Sequence, residues 1–330
     1  MRTISPLTLA CALFAPTAGV LADIACVPEF AAPVAETEAS RGYVRDTFVP
    51  AGYVSEEYFV ECRVQDGAYR TLVRIVRPAD PAKASGIAVL EPWHRGDNWT
   101  VYGGMKDHYA LRGDAAIVVA ADESVLRRFI RPANQARYGQ LSIPATDRAE
   151  FEVLAQVGAA LKKSPPTGLA VNKLILAGKS SSAAVIRKYV IRQHANARIE
   201  SRAVYDGYFP LQSAIGETHE PLPDVDVPIV ELQGERELLL HFDRGKDRIT
   251  YRRPNGPLYR LYEVPGMSHV STRQREGLAP RGLPVSAAAY TDPRTWKCES
   301  ASLSPYPVHE VYHAAFEMLV RWVQTGQAPP

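Results

Sequence analysis

The chain lacks an excess of charge of either sign: in 330 residues, 38 Lys and Arg stand against 36 Asp and Glu, with no run of five like charges. That balance excludes a basic footprint for nucleic acid. Cysteine, methionine and tryptophan are scarce at four each. No fixed-period repeat appears, which excludes solenoids and propellers. Beyond residue 22 no stretch is long and apolar enough to span a bilayer. What is present is ordinary for a globular protein, 46% hydrophobic and 22% charged. A chain of this length can bury a core without staples. Its 26 prolines and 22 glycines imply many turns and loops.

Residues 1–22 carry Arg2, an apolar core from Leu7 to Ala15, the breakers Pro16 and Gly19, and small residues up to Ala22. This is the layout of a cleaved secretory signal peptide, so the mature chain is expected to begin at Asp23 in the periplasm or outside the cell. Neither Cys11 nor Cys26 has a Leu-type residue three positions before it, which argues against lipidation. After cleavage Cys26, Cys62 and Cys298 remain, enough for one bridge and one thiol, and the sequence does not choose the pair. Their separations fit no metal-site spacing.

The rest reads as one domain over residues 27–330. Residues 52–63 and 69–77 alternate apolar and polar, as paired antiparallel strands near a sheet edge do. Short apolar runs at 86–91, 115–121, 173–177, 202–206, 228–233 and 258–264 suit strands buried on both faces of a mostly parallel sheet. Helical spacing connects Phe151, Leu154, Ala155, Gly158 and Leu161 behind Asp147 and Glu150, and again Val308, Val311, Tyr312, Ala315, Leu319 and Trp322. Alternation of this kind means a three-layer α/β sandwich. Two long connections, 122–146 and 271–307, would leave the carboxyl ends of strands, where such sheets bind ligands, and are expected to wall a pocket or cap it.

The segment KLILAGKSSSAAVIRKYV runs from a buried strand into a helix. Gly178 and Ser182 are the small residues two before and two after Ser180, the requirement of a tight strand–turn–helix that lifts a nucleophile above a sheet. Gly178-Lys179-Ser180 also ends like a phosphate loop, but that loop needs Gly where Lys173 stands. A second signal is LYRLYEVPGMSHV, which sets His269 just past a strand, where a general base belongs. His94 is the alternative base, in the wrong chain order. Between serine and histidine lies PIVELQGERE, offering Glu237 or Glu235 as the acid. Glu237, three residues after Gly234, is preferred, and Asp206 is next after the two. Oxyanion donors are expected from the main chain of Ser181 and from the loop Pro92 to Gly96, with Trp93 named for it. Trp93 and His94 would face the substrate pocket.

Taken with VYDGYFP at 204–210, IAVLEPWHRG at 87–96 and the ending YPVHEVYHAAFEMLVRWVQTGQAPP, these stretches resemble the α/β-hydrolases of the alpha/beta hydrolase domain-containing subgroup across roughly residues 50–330. Where members often carry Gly-x-Ser-Gln-Ser-Gly, this chain has GKSSSA; where they tend to carry Glu-x-Asp, it has Glu235-Arg236-Glu237. The resemblance implies a three-layer α/β-hydrolase sandwich, a serine hydrolase acting on small-molecule carboxylic esters through Ser180, His269 and a glutamate, and no metal or organic cofactor. The same triad could serve an amidase. The rival class is a non-catalytic exported binding protein on a degraded form of the same fold.

Overall fold

The structure is a computed structural model that describes residues 24–35, 49–95, 100–213, 220–242, 252–269 and 305–330. The signal segment, Cys298 and most of the 271–307 connection lie outside the described residues.

Eight strands form one sheet: β1 (Tyr53–Val64), β2 (Gly67–Pro78), β3 (Ile87–Pro92), β4 (Ala115–Val119), β5 (Lys173–Lys179), β6 (Gly207–Leu211), β7 (Ile229–Gly234) and β8 (Tyr259–Val264). Their spatial order is β1-β2-β4-β3-β5-β6-β7-β8. β1 and β2 pair antiparallel, as their alternation predicts, and β2 meets β4 antiparallel. Every other pairing is parallel. β3, β4, β6 and β7 are buried along their whole length, as the apolar residues 87–90 and 115–119 predict for β3 and β4; β3 and β7 also bury Glu91, Glu231 and Gln233.

Among the described residues, five helices of eight or more residues flank the sheet: α1 (Thr100–Arg112), α2 (Asp147–Lys163), α3 (Ser181–Arg192), α4 (Glu235–Phe242) and α5 (Val308–Thr325). Adjacent residues of β6 show the layering. Tyr208 faces Tyr189 of α3, while Phe209 faces Phe316 of α5. Because neighbouring strand residues point to opposite faces, α3 and α5 lie on opposite sides of the sheet. Tyr109 of α1 also packs on Phe316, so α1 joins α5. Lys188 of α3 pairs with Asp147 of α2. The result is the expected three-layer sandwich. α5 ends where Gly326 takes a left-handed φ of 75°.

The strand read at 202–206 requires correction. Residues 202–203 form only a two-residue ribbon with 198–199, and the sheet strand is Gly207–Leu211. Val204 and Tyr205 are apolar because they pack beneath α2 at a bend: both crowd Gly158, and Tyr205 Oη donates to Leu154 O at 2.6 Å. The 122–146 connection follows β4 and winds through short helical turns that bury Val125, Leu126, Ile130 and Tyr138. A bridge between Ser142 and Arg70 fastens it to β2. Cys26 and Cys62 form a disulfide that ties the amino-terminal segment to β1.

Candidate active site

The carboxyl ends of β5, β6, β7 and β8 stand side by side and deliver the polar groups of the site. β5 ends in Lys179, and Ser180 follows with φ 59° and ψ −120°, a backbone conformation that L-residues other than glycine rarely adopt. Gly178 permits the turn, because a Cβ there would come within 2.8 Å of the Ser182 main chain and Ile186. Ser180 N donates to Leu211 O at 3.0 Å, and Ser182 Oγ donates to Pro92 O at 3.1 Å. The elbow is thus bonded to β6 on one side and β3 on the other. The small side chain of Ser182, two residues after Ser180, is buried, and its hydroxyl is satisfied by that carbonyl. Ser181 opens α3, where a main-chain N–H has no acceptor within its own helix.

β8 leads through a turn at Gly266 to His269, and β7 leads into α4, whose first turn carries Glu237. Val264 pairs with Gly234 in register, so the two strand ends are neighbours. His269 Nδ1 lies 2.5 Å from Glu237 Oε1. The other carboxylate oxygen accepts from Gly234 N at 3.1 Å and Gln212 Nε2 at 3.3 Å. Burial alone would raise the Glu237 pKa; the bond to His269, the charges of His269 and Lys179, and the Gly234 N–H hold it below the ordinary carboxylate value. Burial pushes His269 below its usual value, Lys179 and Arg236 push the same way, and Glu237 opposes them. This is a carboxylate that accepts from one imidazole nitrogen, on a segment bonded to Lys179, the residue that precedes the strained Ser180. Residues 30–330 match the family described as the alpha/beta hydrolase domain. The chain belongs to that family.

Membership supports a hydrolase. Among solved structures, the chain is similar to esterase Est22, with 14% identity over 71% of this chain and 78% of that one and a TM-score of 0.43. It is similar to an esterase from Rhizomucor miehei at 11% identity, covering 83% and 85% with a TM-score of 0.41. A dienelactone hydrolase from Anabaena variabilis gives 13% identity, 80% and 97% coverage and a TM-score of 0.42. No curated protein matches the chain in sequence.

The remaining sequence candidates of this alpha/beta hydrolase fall into place. Glu235 is exposed and accepts from Gly266 N at 2.6 Å, bracing the turn before His269 rather than touching the imidazole. Asp206 sits at the opposite end of β5, accepting from Leu174 N at 2.7 Å and pairing with Lys162, so it does not approach His269. Trp93 is corrected as a main-chain oxyanion donor: its N–H donates to Val119 O at 2.8 Å, extending the β3–β4 ladder by one residue. Its ring is buried, 3% exposed. His94 is buried too, and its pKa is lowered to about 3 by burial and by the nearby charges of Lys179, His269 and Arg95. It therefore sits close to the site as a neutral imidazole. Gly96 lies outside the described residues.

Sequence reading missed three residues. Lys179 Nζ donates to His269 O at 2.7 Å. Gln212, the end of the β6 line, has a φ of 45° and donates from Nε2 to Ser268 O at 2.8 Å. Tyr312 of α5 donates its hydroxyl to Gln212 Oε1. Only Lys179 had a signal, as the variable position of the elbow. Among the described residues, no group of three or more His, Cys, Asp or Glu side chains could hold a metal ion, and no helix is long and apolar enough to cross a membrane.

Proposed function

We propose that this protein is an exported serine hydrolase that cleaves carboxylic esters through Ser180, His269 and Glu237. The observation that carries the reading is the 2.5 Å contact between His269 Nδ1 and Glu237 Oε1 at strand ends beside the strained Ser180 turn. Glu237 fixes the tautomer with the proton on Nδ1, leaving Nε2 to accept. Ser180 Oγ attacks the ester carbonyl carbon as Nε2 takes its proton. The carbonyl π pair moves onto oxygen, which Ser181 N–H stabilises. Collapse expels the alcohol, protonated by His269, and leaves Ser180 acylated. Water then repeats the sequence and releases the carboxylic acid. The lowered His269 pKa supports this role, because a base must be uncharged at working pH.

The Cys26–Cys62 bridge supports the export half of the proposal, since structural disulfides persist in oxidising compartments. The decisive experiment is labelling with a fluorophosphonate, followed by a panel of chromogenic esters of increasing acyl length. Wild-type protein is expected to be labelled and Ser180→Ala is not. An unlabelled, folded wild type with no ester turnover would favour a binding protein on this fold.

A further inference from the structure

Lys179 is 1% exposed, which is unusual for a side chain that carries a charge, and it directly precedes Ser180. A buried ammonium is unfavourable unless neighbours compensate it, and an apolar side chain would fill the same space without that penalty. Its surroundings point in one direction. Nζ donates to His269 O at 2.7 Å and lies 5.8 Å from the Tyr312 ring centre. The carboxylates that act on it are Glu237 of α4 and Glu91 of β3. Both have other duties: Glu237 holds His269, and Glu91 accepts from Val101 N at 2.9 Å and Tyr102 N at 3.1 Å.

The segment bearing His269 is held by three tethers from three strand ends. Glu237, after β7, takes the imidazole; Gln212, after β6, takes Ser268 O; Lys179, at the end of β5, takes His269 O. Lys179 is the cation among them. Among the described residues, Arg236 of α4 and His94 after β3 also interact electrostatically with this imidazole. We propose that Lys179 is a positioning residue for His269: its ammonium anchors the main chain of the base and disfavours a second positive charge on that imidazole. The inference rests on the reading of His269 as general base. Burial lowers Lys179 itself to about 7, against the pull of Glu237 and Glu91, so its charge is adjustable near neutrality.

The test compares the wild-type chain with Lys179→Met, which removes tether and charge, and Lys179→Gln, which retains a donor without charge. Two readouts are taken: the pH profile of kcat/KM on a chromogenic ester, and the titration of His269 followed by NMR on isotopically labelled histidine. In both variants the acid limb and the imidazole titration are expected to move up by about one pH unit. At the pH optimum, Lys179→Met should lose about tenfold in kcat, and Lys179→Gln should recover part of it. An active wild type whose limb and His269 titration are unmoved in the variants overturns the inference and leaves the hydrolase reading intact. A wild type inactive on every ester, with His269 still titrating higher in Lys179→Met, breaks the hydrolase reading and supports the coupling. If neither variant folds, Lys179 serves stability rather than the base, and the inference is overturned.

Discussion

Several glutamates are buried among polar partners, and two of them, Glu57 and Glu237, differ in what those partners can do. At the antiparallel end of the sheet, Glu57 of β1 accepts from Arg74 Nη1 at 3.1 Å, Arg137 Nε at 2.8 Å and Tyr138 Oη at 2.9 Å. Arg137 also donates to the carbonyls of Val34 and Ala35, so the cluster joins β1, β2, the 122–146 connection and the amino-terminal segment. At the parallel end, Glu237 holds His269. Guanidinium does not give up its proton in a protein, whereas imidazole gains and loses one near neutrality. The first cluster is therefore a fixed joint. The second can change its charge during a reaction. Burial of a carboxylate does not distinguish them; the acidity of its partner does.

The sharpest way to test that contrast is at the serine. Ser180→Ala should lower ester hydrolysis by at least about 10⁴-fold while leaving the melting temperature near that of wild type. Next is the acid. Glu237→Gln should cost about 10³ to 10⁴ in kcat, because the amide favours the wrong histidine tautomer and gives no charge support. Its counterpart Glu57→Gln should behave oppositely. Two buried guanidiniums would lose their counter-charge, destabilising the fold by about 3–5 kcal/mol in denaturant titration, with kcat of the folded fraction within about twofold of wild type. Should Glu57→Gln silence catalysis without loss of stability, the contrast fails.

Acidification separates the clusters without mutation. His269 must be neutral to accept a proton, and its pKa is shifted below 6.5. Activity should thus hold through pH 7 and fall about tenfold per unit once pH drops below that lowered value. A kcat/KM profile measured where circular dichroism shows intact fold checks it; an acid limb centred above 6.5 would contradict the shift. The smallest effect belongs to Glu235→Gln, expected to lower kcat by less than about tenfold, since its carboxylate braces Gly266 N rather than the imidazole.

The parts legible in sequence were those set by periodicity and turn sterics. Fully buried strands announce themselves as apolar runs, Gly178 and Ser182 frame a tight turn, and a histidine two residues after the Gly266-Met267 pair falls beyond a strand. Composition could narrow the histidine's partner to Glu235 or Glu237 but not choose, since both follow β7; the contact depends on how α4 starts, and that start turns Glu237 inward and Glu235 out. Trp93 was misassigned because a main-chain N–H spent on Val119 leaves no trace in side-chain chemistry. Val204 and Tyr205 mimicked a strand because a bend pressed under a helix needs the same apolar residues. Gln212 stood out in no pattern and Tyr312 only on the apolar face of the last helix: 100 residues separate them, and only the packing of α5 on the sheet makes them meet.

The bond from Ser182 Oγ to Pro92 O has a mechanical consequence. Ser180 N is anchored to Leu211 O and Ser182 Oγ to Pro92 O, so the Ser181 peptide is suspended between two supports on different strands. A displacement at the end of β3 is transmitted along this suspension to the backbone around Ser180. Removing the hydroxyl with Ser182→Ala therefore takes away the β3 support of the elbow and leaves the bond to β6.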